Sequence, residues 1–227
     1  CKTNPESPVT SGQVSWSDFN GDGRVDLHCD DTSNGMYWVL LSTGTGLVSP
    51  VSRPADGLLN APGGWCHFVP GWPDLSGQIS WSDFNGDGMA DLHCNNPSIG
   101  THQVLLSTGT GLVSPNSDPL GLLISGWCSS PATNSWSDFN GDGLADLHCN
   151  NASTGTHQVL LSTGTGLISP NASTTGLVNS GQCSTIGEQE SAIAELESVV
   201  GSLGILAGVT QLSDFNGDGM ADLHCNL

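Results

Sequence analysis

The sequence predicts an all-β fold built from repeated four-stranded antiparallel sheets along one chain of 227 residues. Three observations carry this expectation. A nonapeptide, Asp-Phe-Asn-Gly-Asp-Gly-x-x-Asp, occurs at 18–26, 83–91, 138–146 and 214–222, each time running into Leu-His-Cys. Short runs of alternating polar and apolar residues flank it, the pattern of half-buried strands. The 31 Gly and 12 Pro leave room only for short strands and frequent turns.

Each unit reads the same way. An entering strand comes first, in Val14-Ser15-Trp16-Ser17, Ile79-Ser80-Trp81-Ser82 and Asn134-Ser135-Trp136-Ser137. The acidic loop follows, and Leu-His-Cys forms the strand that leaves it. A third strand lies at 38–42, 102–107 and 157–162; Thr-Gly-Thr-Gly then turns the chain into a fourth at 47–49, 112–114 and 167–169. A glycine-bearing turn between two apolar runs is a hairpin signal, and Pro50, Pro115 and Pro170 are expected to end the last strand. The expected units are 1–60, 61–122, 123–180 and a partial fourth at 181–227, which stops without its hairpin. Inside that fourth unit, Ile193, Leu196, Val199, Val200 and Leu203 recur at helical spacing, predicting an inserted amphipathic helix at about 188–202.

Loop chemistry points to a hard cation. Oxygen side chains at loop positions 1, 3, 5 and 9, with a backbone carbonyl at position 7, suit calcium rather than zinc or copper. The expected ligands are Asp18, Asn20, Asp22 and Asp26 with the carbonyl of Arg24; Asp83, Asn85, Asp87 and Asp91 with that of Met89; Asp138, Asn140, Asp142 and Asp146 with that of Leu144; and Asp214, Asn216, Asp218 and Asp222 with that of Met220. Glycine at position 6 permits the bend. An EF-hand is excluded, because its loop needs a bidentate Glu at position 12, and here that place is Cys29, Cys94, Cys149 or Cys225. A mere turn would not require the ninth-position Asp in all four copies.

Charge and cysteine usage narrow the setting. Three basic residues face 22 acidic ones, a formal charge of -19 that argues against nucleic acid or an anionic membrane surface as partner. Twelve of the acids lie in the four loops, and one Ca²⁺ in each would bring the charge to about -11. The eight cysteines follow the repeat, which suggests the pairs Cys1–Cys29, Cys66–Cys94, Cys128–Cys149 and Cys183–Cys225. Loops of these lengths give roughly 3–4 kcal/mol each in the chain-entropy account. Disulfides, calcium and two sequons at Asn151 and Asn171 point to an extracellular, glycosylated product, either mature or excised from a longer chain. No apolar run reaches the roughly 20 residues of a membrane helix.

With these motifs laid out, the chain resembles the FG-GAP/VCBS repeat family. The resemblance rests on D-F-N-G-D-G-x-x-D-L at 18–27, 83–92, 138–147 and 214–223, and on LLSTGTGL at 40–47, 105–112 and 160–167. It implies that each unit is a blade of an integrin-like β-propeller with calcium in a loop at one edge. It carries the ligands onto the loop positions already named. Three whole units and part of a fourth leave two arrangements, a closed ring or an open stack of blades.

Catalysis is not expected, since no nucleophile elbow, zincin helix or phosphate loop is present. Histidine and cysteine adjoin after each loop, but alternation sends them to opposite faces of the strand and oxidised cysteine cannot ligate zinc. Trp16, Trp81 and Trp136 read as core, and Trp65 and Trp127 as cover for a disulfide; Trp72, in a Pro/Gly-rich loop, is a candidate for stacking on a sugar. The expected function is a secreted, calcium-stabilised structural or adhesive repeat protein. Its expected partners are copies of itself, head to tail in a fibre, or adjacent domains of a longer chain. A glycan-binding, lectin-like module is the alternative. The segment near 207–227 is expected at an inter-subunit or inter-domain junction, because a short sheet exposes an unpaired edge.

Overall fold

The computed structural model describes residues 12–31, 36–50, 59, 66, 78–130, 132–179, and the backbone of 209–213 and 222–226. The first sheet runs β1 (Gly12–Ser17), β2 (Asp26–Asp31), β3 (Met36–Ser42) and β4 (Leu47–Val48), in that spatial order and antiparallel throughout. The second repeats it with β5 (Gln78–Ser82), β6 (Asp91–Asn96), β7 (Thr101–Ser107) and β8 (Leu112–Val113), and adds β9 (Leu122–Ile124) beside β7. The third has β10 (Thr133–Ser137), β11 (Asp146–Asn151), β12 (Thr156–Ser162) and β13 (Leu167–Ile168), with β14 (Leu177–Asn179) beside β12. Two strands, β15 (Val209–Ser213) and β16 (Asp222–Asn226), form the fourth. Among the described residues there is no helix; the helix expected at 188–202 lies outside them.

One difference from the sequence reading concerns the outer strand. It does not end at Pro115 or Pro170 but resumes after an excursion. β8 covers the end of β7 through Leu106–Val113 and Ser107–Leu112, while β9 covers its beginning through His102–Ile124 and Gln103–Leu122. Gly121 makes the re-entry possible. It sits at φ +64°, and a Cβ there would lie 1.8 Å from the Val104 carbonyl oxygen. Asn116 fastens the excursion by donating its side-chain amide to Leu122 O at 3.1 Å. β9 also straddles the boundary expected at 122/123 and belongs to the second sheet. Leu59 takes the corresponding place in the first unit, its N–H bonded to Tyr37 O at 2.7 Å.

The second strands of the second and third sheets, β6 and β11, are buried on both faces, and alternation gives those faces different chemistry. In β6, Leu92 and Cys94 point one way with Ile79, Trp81 and Leu105 across the register, a leading face that meets the preceding unit. Asp91, His93 and Asn95 point the other way, to a trailing face that meets the next. The core therefore lies between sheets. Phe19, Tyr37 and Val39 of the first unit pack in one cluster with Leu59, Ile79, Leu92, Cys94 and Leu105.

Three contacts join unit one to unit two and recur between two and three. Trp81 lies on His28 at 4.0 Å between ring centroids and edge-on to Phe19; Trp136 lies on His93 at 4.2 Å and edge-on to Phe84. The Ser107 hydroxyl donates to Phe19 O at 2.6 Å, and that of Ser162 to Phe84 O at 2.7 Å. Ala90 N–H reaches Asp18 O at 2.6 Å, and Ala145 N–H reaches Asp83 O at 2.8 Å. Trp16 departs from the expected core role. It is 56% exposed, and among the described residues no other sheet packs on the face it occupies.

Ser107→Ala removes the hydroxyl partner of a carbonyl buried between two sheets. Leaving a buried acceptor unpaired costs about 1–3 kcal/mol, so denaturant unfolding should show a loss in that range. Unchanged stability would mean that the serine is not a coupling element.

Candidate functional site

The acidic loops leave one edge of the first three sheets and are built alike, atom by atom. The first-position carboxylate caps the turn: Asp83 Oδ1 accepts from Gly86 N at 2.7 Å and Asp87 N at 3.2 Å, and its Oδ2 accepts from Gly88 N at 2.8 Å. Asp18 and Asp138 do the same. The fourth- and sixth-position glycines are left-handed, at φ 76° and 82° in the second loop, a conformation that favours glycine. Asp87 Oδ1 accepts from Met89 N at 2.9 Å, and its Oδ2 accepts from Asn85 Nδ2 at 2.9 Å.

The ninth-position carboxylate does something else. Asp26, Asp91 and Asp146 are buried, and each spans two elements. One oxygen accepts from the N–H of Phe19, Phe84 or Phe139 at 2.9 Å, the other from the N–H of Ser42, Ser107 or Ser162 at 2.7 Å. Loop and third strand are thereby pinned together. Burial pushes Asp91 up to about 7, against the two amide bonds that pull it down; the nearby charges of Asp87 and Asp83 raise it further. Asp146 is pushed up to about 6 for the same reasons, with Asp142 and Asp138 as its neighbours.

These features fit a hard cation. The donors are all oxygen, and carboxylates that raise one another's proton affinity are relieved by positive charge. Among the described residues, though, no three His, Cys, Asp or Glu side chains gather closely enough to hold a metal ion by themselves. The ninth carboxylate is turned to its two amides, so Asn and the seventh-position carbonyl are needed to complete a donor set. The first loop also differs from the next two. Arg24 pairs with Asp22 at 2.8 Å, where the others carry Met89 and Leu144. Position 7 also packs between units, since a Cβ on Gly21 would lie 3.2 Å from Met89 Cγ. The fourth loop, Asp214, Asn216, Asp218 and Met220 with it, lies outside the described residues, and Asp222 opens β16.

Cys66–Cys94 and Cys128–Cys149 are disulfides as expected. Cys29 is disulfide-bonded to a residue outside those described, and the pairs that involve Cys1 and Cys183 fall there too. The histidines after the first two loops are structural. His28 and His93 bond through Nε2 to the hydroxyl and carbonyl of Ser17 and Ser82. Their Nδ1 atoms are buried without a partner, and burial depresses both rings to about 4. Trp127 is buried with Cys128 and Cys149 and donates to Thr175 O at 3.0 Å, the packing role read for it; Trp65 and Trp72 are outside the described residues. Asn171 is exposed, yet its side-chain amide donates to Leu177 O at 2.9 Å, as Asn116 does outside any sequon. Asn151 accepts from the Ser153 hydroxyl at 2.6 Å.

Sequence reasoning did not find Asp30. It is buried on the trailing face, where the next two units carry Asn95 and Asn150, and it accepts from Trp81 Nε1 at 3.1 Å. Burial raises its pKa to about 6, and the Trp81 bond opposes that only in part.

Stacked antiparallel sheets of four and five strands define a propeller-like β module. Residues 83–149, from the second loop through the third, match the FG-GAP-like repeat family. In three dimensions the chain is similar to a lectin of Agrocybe aegerita, solved to explain its specific recognition of non-reducing terminal N-acetylglucosamine. The TM-score is 0.50 and the identity 16%, over 92% of this chain and 45% of that one. At that identity the likeness concerns the fold, and this chain spans less than half of that structure's length. No curated protein matches the chain in sequence. Among the described residues no helix is long and apolar enough to cross a membrane.

Asp30 yields a pH prediction. Its folded pKa is raised, so the folded state binds the extra proton between about 4 and 6, and stability falls as pH rises through that window. Asn can still accept from Trp81 and carries no charge. Asp30→Asn should therefore stabilise the protein by on the order of 2 kcal/mol at pH 7, with the gain vanishing below pH about 4. Paired melting curves across that range check it; a pH-independent difference would contradict the buried-charge account.

Proposed function

We propose that the chain is a secreted, calcium-stabilised structural or adhesive module whose blades assemble head to tail into an extracellular fibre. The observation that carries this reading is the repetition of one oxygen-only loop at the same edge of successive sheets, interlocked with the loop of the next unit. Calcium would be held by Asp18, Asn20, Asp22, Asp26 and the Arg24 carbonyl, and by the equivalent residues of the other loops. Bound there, it supplies positive charge to carboxylates that otherwise repel one another. Disulfides such as Cys66–Cys94 and Cys128–Cys149 suit an oxidising, calcium-rich compartment. No catalytic role is assigned to any residue.

An extracellular-type Kd near 0.1 mM, at about 1 mM calcium, stabilises by on the order of 1.4 kcal/mol per site. Several sites together approach the whole stability margin of a domain. Chelation should therefore lower the melting temperature markedly, and an unchanged curve after confirmed metal removal would overturn the calcium reading. Arg24 separates the first loop from the rest. Its guanidinium already neutralises Asp22, so calorimetry should find one weaker site that strengthens in Arg24→Met and leaves the others unaltered.

A second reading is favoured by the likeness to a lectin: the module holds glycans, with Trp72 stacking on a sugar ring. Millimolar or tighter binding to a glycan array, weakened by Trp72→Ala, is the expected result. A blank array at high protein concentration would remove this reading.

A further inference from the structure

The first and second acidic loops are each held in two halves, and only one half is held by the loop's own sheet. In the first loop the later carboxylates are fixed from within. Asp22 pairs with Arg24, and Asp26 accepts from Phe19 N and Ser42 N. The backbone of the opening residues is fixed by the second unit. Asp18 O accepts from Ala90 N, and Phe19 O accepts from the Ser107 hydroxyl, both at 2.6 Å. A Cβ on Gly109, in the second unit's hairpin, would lie 3.5 Å from Asn20 Cβ, and one on Gly21 would lie 3.2 Å from Met89 Cγ. Residues 18 to 21 thus each meet the next sheet. The second loop repeats the set against the third unit. Asp83 O accepts from Ala145 N at 2.8 Å, and Phe84 O from the Ser162 hydroxyl at 2.7 Å. A Cβ on Gly164 would lie 3.5 Å from Asn85 Cα, and one on Gly86 would lie 3.1 Å from Leu144 Cδ2. Met89 and Leu144 therefore face two ways. Each is the seventh residue of its own loop, yet its side chain lies against the loop before it.

We propose that each of these two cation sites is shared between neighbouring units. The side chains of Met89 and Leu144 position the ligands at positions 1 and 3 of the preceding loop, so that calcium affinity in one loop is set by the docking of the next unit. The ligands concerned are Asp18 and Asn20 in the first loop, and Asp83 and Asn85 in the second. A site gains affinity when its oxygens are held in place before the ion arrives, because less freedom is then lost on binding. Here that holding comes from the neighbour. The inference rests on the calcium reading above and names how that same site is regulated. Linkage makes the effect reciprocal: calcium in the first loop tightens the contact between the first and second units. The cation then joins sheets as well as closing turns.

A calcium titration of the full chain followed by amide NMR tests it, with Gly23, Gly88 and Gly143 reporting the first, second and third loops. Met89→Ala should raise the midpoint calcium concentration of the first loop at least about fivefold, the lower end of ordinary coupling between sites. That shift should exceed the second loop's, although Met89 belongs to the second loop. Leu144→Ala should likewise weaken the second loop more than the third. Met89→Leu gives the second unit the side chain that the third carries at that place, and should restore the wild-type midpoint. General destabilisation would shift all three loops together, and a local defect would shift most the loop that carries the substitution. Either pattern, or no shift at all, overturns the proposal and leaves the calcium reading standing. A wild-type chain in which no loop titrates overturns both.

Discussion

The structure depends on the ninth-position aspartate. Its carboxylate is buried at the root of the first three acidic loops and holds two amides, one from the start of the loop and one from the end of the third strand. No neutral side chain at that place makes both bonds so well, because a carboxylate offers two acceptor oxygens and no donor. The bridge fixes where the Phe carbonyl and the Ser hydroxyl lie. Those two groups then make the contact between units. Loop geometry, third-strand position and unit-to-unit packing are thus one arrangement repeated. The cost is a buried charge crowded by two further carboxylates, and Asp91 registers it as a raised pKa. A cation at the loop relieves that crowding without disturbing the bridge.

What was legible in the sequence was local. The loop is nine residues with two left-handed glycines, and the hairpin after the third strand turns on Gly, so composition and spacing alone place them. The outer strand was legible only in its first half. Ser114 to Leu120 is rich in Pro, Ser and Asn and reads as an ending, yet Asn116 and Gly121 fold it back against the third strand. β9 is three residues long and shows no alternation, so nothing in its own sequence announces a strand.

Contacts between units were illegible for a different reason: they join residues far apart in sequence. Ser107 and Phe19 are separated by 88 positions, and Trp81 and Asp30 by 51. The serine looks like part of a turn and Asp30 like a surface acid until the next sheet is in place. Trp16 shows the same limit from the other side. It repeats with Trp81 and Trp136, which led to a core reading, but its burial depends on a neighbour and not on its own strand. The histidines after the loops follow suit, since His28 and His93 become the platform on which the next unit's tryptophan rests.

Amide hydrogen exchange tests most directly the claim that the ninth-position bridge organises each unit. The amides of Phe84 and Ser107, held by Asp91, border an exposed loop and a hairpin turn. If the bridge is the root of the unit, both should exchange only on global opening, as slowly as Val104 in the middle of the third strand. Exchange at the fast rate of an exposed hairpin amide such as Thr110, while Val104 stays protected, would contradict the account.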